Sequence, residues 1–439
     1  MTVRLSLTPL LLAAVALPGA APAEDWPQFR GPRGDGVSSA AGLPAEWSPT
    51  LNVRWKVRTP GRGRSSPVVL GDRIWMTAAD ETPASPEEVA LRLADLPEPG
   101  QLYVARRVSL RALCLDRVSG KLLYDVELFG VENPDPIHRL NGYATPTPAV
   151  EPGRVYCDFG TYGTACIDAA TGRVVWKTRL PAEHVLGPGS SPVLVKDLLV
   201  LVRDGCDAQY VAALDKGTGK VRWRTDRPPM QTETRYEKKA YSTPLVVEAG
   251  GRVQIVAPGA QWVCSYDPAD GREIWRVRHG KGFSLAPSAV YGHGMVYVAT
   301  GCNVAELWAI RVDGRGDVTG THVAWRAKGQ IPLMSSPVLA GKELYCVSDD
   351  GIVSCFDAAS GKVHWRERIG GNHLASPLYA DGKLYFFNWE GRTTVLKSGA
   401  EFVRLADNPL EGPLAATPAV AGRAIFLRTD AHLYCIEKQ

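Results

Sequence analysis

The sequence predicts an all-β, eight-bladed β-propeller of four-stranded antiparallel blades. Three observations predict it. An opening made of a small residue and proline recurs eight times. A turn of the form Asp-x-x-Thr/Ser-Gly-Lys/Arg closes most units just ahead of a tryptophan. A strand near residue 55 has the pattern that the last unit lacks. Self-similarity at a period of tens of residues marks a repeat architecture.

The openings are read at Ser66-Pro67, Thr145-Pro146, Ser191-Pro192, Thr243-Pro244, Ala286-Pro287, Ser336-Pro337, Ser376-Pro377 and Thr417-Pro418. Each precedes an apolar run, a Gly-containing turn and a second run, as in Pro337-Val-Leu-Ala-Gly-Lys-Glu-Leu-Tyr-Cys-Val347. Short β-branched and aromatic runs split by Gly, Asp and Lys turns are hairpin grammar.

The closing element reads Asp116 to Tyr124, Asp168 to Trp176, Asp215 to Trp223, Asp267 to Trp275 and Asp357 to Trp365. Asp can fold its carboxylate onto the backbone N–H groups of its own turn, and Gly supplies the positive φ that closes it. Trp offers a flat surface wide enough to fill the gap between twisted neighbouring sheets. The fifth unit stretches this turn from Arg311 to Trp325, and the seventh, Leu396 to Val403, has no Trp.

The last unit, Thr417 to Glu437, supplies three strands only. Asn52-Val-Arg-Trp55-Lys-Val57 has the Trp-strand pattern with nothing before it. Joining the two removes an open sheet edge and closes the ring. Trp55, Trp176, Trp223, Trp275, Trp325 and Trp365 are therefore expected between blades. The organisation is a leader (1–23), an extended arm (24–51) expected to wrap the surface, and one propeller (52–439) with an insertion at 80–108. Within the insertion, Ser85-Pro-Glu-Glu ahead of spaced leucines predicts a short capped helix.

Composition narrows the function. Fifty basic and 46 acidic residues give a net charge of +4 without a long basic run, so nucleic-acid binding has no electrostatic support. Arg4, the apolar Leu5–Leu17 stretch and Ala21-Pro22-Ala23 read as a secretory signal cleaved after Ala23. Glu24 follows, so no lipid-bearing cysteine stands at the cleavage site. A periplasmic or secreted protein with no membrane span is expected, and a monomer, because a closed ring buries its strands without a second subunit. Four of the nine cysteines, Cys114, Cys166, Cys355 and Cys435, stand two residues before an acid, where sister units carry Ala213, Ser265 and Ala309. That interchange marks a tight, packed slot.

These units resemble the tryptophan-docking motifs of the PQQ-repeat (pyrroloquinoline-quinone) superfamily. That group includes quinoprotein alcohol dehydrogenases and the outer-membrane assembly lipoprotein BamB. The stretch Asp25-Trp-Pro-Gln-Phe-Arg-Gly-Pro-Arg-Gly-Asp-Gly36 resembles the leader of secreted PQQ-binding-like propellers of planctomycete-type bacteria. The BamB-like resemblance implies a non-catalytic extracytoplasmic scaffold that binds proteins. The quinoprotein resemblance implies an oxidoreductase using PQQ with calcium. Adjacent cysteines, a mark of those enzymes, are absent here, and no catalytic residue maps onto a numbered position. A carbohydrate- or peptide-binding module is the third reading.

Binding residues are sought on loops. The segments before the openings offer Arg62, Arg64, His138, Asn141, Tyr143, His184, Tyr241, Lys281, Asn372 and His373, a set suited to a protein partner or a small anionic or peptide ligand. Its histidines stand on separate loops without metal-ligand spacing, so no metal is assigned. Loops between second and third strands, expected at the opposite end, offer Asp204, Asp207, Trp262, Asn303, Asp349, Asp350, Trp389 and Glu390. Trp262 and Trp389 stand outside the docking slots and are the candidates for stacking on a ligand.

Overall fold

The computed structural model describes residues 25–303 and 305–438. The expected leader lies outside the described residues. Eight sheets of four blade strands each surround an axis, here named A to D from the axis outward. The first seven blades follow the chain, and blade 8 is closed as the sequence predicts. Its strands A to C are Ala419–Ala421, Ala424–Arg428 and His432–Glu437, and its strand D is Val53–Arg58. Trp55 stands opposite Cys435 across that last pairing.

The small-residue slot has a geometric reason. On strand C, Cys114, Cys166, Ala213, Ser265, Ala309, Cys355 and Val395 face Tyr124, Trp176, Trp223, Trp275, Trp325, Trp365 and Ala406 of strand D. In all eight blades the register then shifts at the next residue, a β-bulge at one shared position. A bulge sharpens the local twist, which turns each outer strand toward its neighbour. The nine cysteines are free, and burial pushes the thiols of Cys114 and Cys166 up to about 12.

Each docking tryptophan then reaches the turn of the next blade. The indole N–H of Trp55, Trp176, Trp223, Trp325 and Trp365 donates to the carbonyls of Arg117, Lys216, Pro268, Ala358 and Gly399. The glycine of the receiving turn lies under the ring. At Gly219 (φ +73°) an added Cβ would sit 2.5 Å from Trp176. That glycine is thus required by the backbone and by the indole together. The turn aspartates behave as the sequence implies: Asp215 Oδ1 accepts from the Thr218 N–H at 2.9 Å, and the Thr218 hydroxyl holds its carboxyl below the ordinary range.

Three blades depart from this rule, and in blade 1 Tyr124 takes the docking place, its hydroxyl donating to the Ala170 carbonyl of the next turn. Trp275 donates to Gln254 Oε1 of its own blade at 2.7 Å, and the stretched turn of blade 5 lays Gly316–Asp317 beside it as an extra strand. Blade 7 has no docking tryptophan of its own. The arm supplies one: Trp47, 2% exposed, stacks on Tyr385 at 6.2 Å, and its backbone N–H donates to Asn408 Oδ1, while its indole N–H, unlike those of the docking tryptophans, has no partner. Tyr156, Tyr297 and Tyr345 meet the tryptophans of their own blades from the equivalent strand.

The inner strands are fastened by a belt of hydroxyls. The residue two before each strand A is Ser66, Thr147, Ser191, Thr243, Ser288, Ser336, Ser376 or Thr417. At six junctions the backbone N–H of one donates to the hydroxyl of the next at 2.9–3.0 Å. This corrects two openings read from the sequence. In blade 2 the repeat position is Thr147-Pro148, not Thr145-Pro146, and in blade 5 it is Ser288-Ala289, not Ala286-Pro287. The proline is optional; the hydroxyl closes those six junctions, and between blades 4 and 5 the Ser288 hydroxyl has no partner. At the junction from blade 8 to blade 1 the buried guanidinium of Arg428 bonds Ser65 and Thr77 instead.

The arm does not merely wrap the outside. Trp26 pairs with Val69 of blade 1, the Pro27 carbonyl accepts from Val150 of blade 2, Arg30 Nη2 donates to the Pro337 carbonyl of blade 6, and Val37–Ser38 add a parallel strand to blade 7. It therefore crosses the end of the channel that bears the A–B turns. A crevice of about 450 Å³ remains between the arm and blades 3 to 5.

Candidate functional site at the loop-bearing mouth

In an antiparallel blade, strand B ends where strand A began. The B–C loops therefore return to the same end as the D–A crossovers, and the two groups that the sequence reading set on opposite faces share one mouth. Contacts between them are direct: the N–H of His373 donates to the Asp349 carbonyl, and that of Trp389 to the Asn372 carbonyl.

The insertion stands over this mouth. Strands Arg73–Pro83 and Ala105–Asp116 of blade 1 run past their neighbours, and the helix Pro86–Leu93 lies between them. Ser85 caps it, with Glu88 reciprocating in a capping box as the sequence predicts. Leu102–Tyr103 pair with Ile137–His138, which fixes the blade 2 crossover beneath the insertion.

The predicted residues divide into three groups. Asn141, Tyr143, His184 and Trp262 are structural. Asn141 donates to the carbonyls of Leu186 and Pro188, and Tyr143 is fully buried with its hydroxyl on the Asp135 carbonyl. Trp262 is a core residue whose N–H meets the Pro229 carbonyl. His184 is buried beside the Arg203 guanidinium, and burial first, then that charge, holds its pKa at about 3, so it is neutral at any ordinary pH. A second group ties loops together. His138 Nε2 lies 2.9 Å from Gln101 Oε1, Asn372 bonds Glu390, and buried His373 meets the Gly370 carbonyl. Among the described residues no three His, Cys, Asp or Glu side chains are placed to hold a metal ion.

The third group faces the opening. Arg62 pairs with Glu81 at 3.2 Å, and Lys281 is exposed. The Arg64 guanidinium lies 4.6 Å over the Trp389 ring, joining the crossover into blade 1 to the B–C loop of blade 7. Tyr241 points a buried hydroxyl that has no partner. Burial lowers the pKa of Arg64 and Arg428, and Asp430 is the nearest acid acting on both.

Sequence reading missed Arg428, Glu81 and Asp430 as members of this mouth. Arg428 and Asp430 sit in an ordinary strand end, and only the ring closure brings them beside residue 64. Lys239, in the crossover that carries Tyr241, is 6% exposed. The mouth is braced below by two buried ion pairs that cross blades 2 to 4, Asp158–Arg203 at 2.6 Å and Asp204–Arg227 at 2.7 Å. Its open surface presents guanidinium, ammonium, indole and phenol groups. That set recognises anions and aromatic or peptide surfaces.

Comparison with known proteins agrees with the blade count. The family model described as outer membrane protein assembly factor BamB matches residues 111–260 and again 259–401. BamB of Bordetella pertussis is 26% identical over 270 residues, 59% of this chain and 63% of that protein. The chain thus spans a little under two thirds of that relative. Among solved structures, BamB from Moraxella catarrhalis superposes with a TM-score of 0.57 at 14% identity, over 87% of this chain and 98% of that one. Quinohemoprotein alcohol dehydrogenase from Comamonas testosteroni gives 0.52 at 14% identity, over 96% and 82%. At such identities the two structures speak for the fold alone. The family match covers well over half of the sequence, and the chain belongs to the BamB family of PQQ-repeat propellers.

Proposed function

We propose that this protein is a non-catalytic binding or scaffold propeller that acts outside the cytoplasm and receives a protein partner on its loop-bearing mouth. The observation that carries the reading is the asymmetry of the channel. Buried donors without acceptors occur at both ends, Trp26 Nε1 and Arg30 Nε and Nη1 in the arm and Arg64 Nη1, Arg428 Nε and Nη2 and the Tyr241 hydroxyl at the loops, but the arm crosses the first end and leaves the second uncovered. Buried polar groups left unpaired cost free energy, and a partner that supplies acceptors recovers it. Family membership supports the same reading, since the matching relative is named as an assembly factor for outer membrane proteins. Among the described residues no helix is long and apolar enough to cross a membrane.

The quinone-dependent alternative meets a poor set of donors. The cysteines are dispersed through separate strands and loops, and among the described residues no acidic cluster at the mouth is shaped for calcium. The residues present do not fit that group.

The test places photo-reactive side chains at Arg62, Lys281 and Trp389 on the mouth, and at Lys342 and Arg423 on the turn-bearing face, followed by crosslinking in intact cells. Adducts confined to the mouth positions are expected. Equal labelling of the turn face would defeat the reading. Saturable binding of PQQ with calcium, accompanied by alcohol-dependent dye reduction, would replace it with the alternative.

A further inference from the structure

The crossover into blade 4 carries an ammonium group in an unusual setting. Lys239 is 6% exposed, its Nζ lying 5.5 Å from the Tyr236 ring centre and 5.9 Å from that of Phe283. Among the described residues no carboxylate stands within ion-pairing distance of it. Lys239 has an extended backbone (φ −83°, ψ 151°), so the side chains of Lys239 and Tyr241 leave the chain on the same side. Both lie within electrostatic reach of the same two thiols, Cys206 and Cys302, which are neutral. The Tyr241 hydroxyl is buried without a partner, and so is the hydroxyl of Ser190 in the neighbouring crossover. Gly189 permits that closeness: an added Cβ there would meet Tyr241 at 2.8 Å.

The backbone holds this arrangement in place. The Ser284 N–H donates to the Lys239 carbonyl and the Tyr241 N–H to the Leu285 carbonyl, each at 2.8 Å, while Ala240 N–H meets the Asp204 carbonyl at 3.1 Å. The segment is therefore tied to blades 3 and 5, while the Tyr241 hydroxyl has no partner and, among the described residues, no carboxylate pairs with the Lys239 ammonium.

We infer that Lys239 and Tyr241 form a carboxylate-binding subsite at the channel mouth, walled by Tyr236 and Phe283. A desolvated ammonium without a counter-ion is costly. A carboxylate supplies the missing charge and has lone pairs enough to accept from the ammonium and the phenol together. Aromatic walls favour a carboxylate attached to an apolar or aromatic group. The same chemistry comes from two sources, a free organic acid or the C-terminus of a peptide.

This inference deepens the binding reading of the mouth and rests on it. Calorimetry on the full mature chain would use benzoate, hexanoate and a tetrapeptide ending in phenylalanine, with a free or an amidated C-terminus. Binding with Kd on the order of 0.1–1 mM is expected for groups this small, abolished by amidation. Lys239→Met should weaken it at least about thirtyfold, equivalent to roughly 2 kcal/mol, and Tyr241→Phe about five- to tenfold. The Lys239→Met protein should also melt no lower than the parent, because an unpaired buried charge has been replaced by a thioether of similar length; a lysine with a merely structural role would lower the melting temperature. Comparable binding of the small acids and the peptide would assign the site to free acids, and binding of the free-ended peptide alone would assign it to chain ends. Absence of binding by every acid, or equal binding of acid and amide, overturns the inference. Crosslinking at Arg62 and Trp389 is read separately, so the mouth can stand as a docking face even if this subsite fails.

Discussion

The two ends of the channel are built by the same eight blades and differ in what they leave unfinished. At the turn-bearing end the Asp-x-x-Thr/Ser-Gly turns satisfy their own backbone and receive the indole of the blade before, or the Tyr124 phenol at the Asp168 turn, and the arm covers the axis with Trp26 Nε1 and Arg30 Nε and Nη1 unpaired within it. At the loop-bearing end the crossovers differ from blade to blade, and buried donors on Arg64, Arg428, Ser190 and Tyr241 have no acceptor. The lesson is a division of labour within a repeat. What recurs serves closure, and what departs from recurrence is where a ligand can be sought.

The strongest challenge to that contrast comes from the braces beneath the mouth. Asp158 and Arg203 are essentially inaccessible and share two hydrogen bonds. Asp158→Ala should cost about 3–5 kcal/mol by stranding a buried guanidinium, measured by urea unfolding. A loss under 1 kcal/mol would show that the loop end is not braced in this way. Trp47→Ala comes next, at about 3–4 kcal/mol, and differential scanning calorimetry should show it as a lower melting temperature with the fold retained. If the change is near neutral, the arm does not complete blade 7.

A pH series sharpens the comparison further. Burial, with Arg203 beside it, depresses His184 from 6.5 to about 3, and burial likewise depresses His279 to about 4. Both are neutral in the fold while the unfolded chain takes up their protons. Their contribution is complete above about pH 6.5 and drains away as pH falls from there toward 3–4. Denaturant midpoints should therefore drop between pH 7 and 5, and His184→Leu should make that drop shallower. The smallest expected effect on stability is at the mouth itself. Trp389→Ala removes a partly exposed cation–π contact worth about 0.5–1 kcal/mol, yet it should abolish partner crosslinking from Arg62. A large stability loss with binding intact would reverse the assignment of that residue.

The blade count, the closing strand at Trp55 and five of the six docking tryptophans were legible because each rests on a local pattern repeated along the chain. Trp275 was legible as buried but not by its partner, since only the stretched turn of blade 5 frees it to meet Gln254. The openings of blades 2 and 5 were misread because proline draws attention and the small hydroxyl residue at the repeat position, Thr147 or Ser288, does not. The mouth was legible in its crossover residues and wrong in its geometry. Trp389 and Arg64 lie 325 positions apart (389 − 64), and no pattern in one blade shows that they stack. Burial was the other hidden quantity: Lys239 and Lys281 read alike in sequence, but only one is enclosed.

The segment before residue 59 has one more consequence. It contributes the outermost strand of blade 8 and the tryptophan that blade 7 lacks, so the first part of the chain to be synthesised must wait for the last before either finds its place. A chain interrupted late in synthesis keeps that segment unmatched, with an unpaired amphipathic strand and two large indoles in water. Such a product announces its own incompleteness to any protease or chaperone nearby, and only a finished molecule conceals the signal.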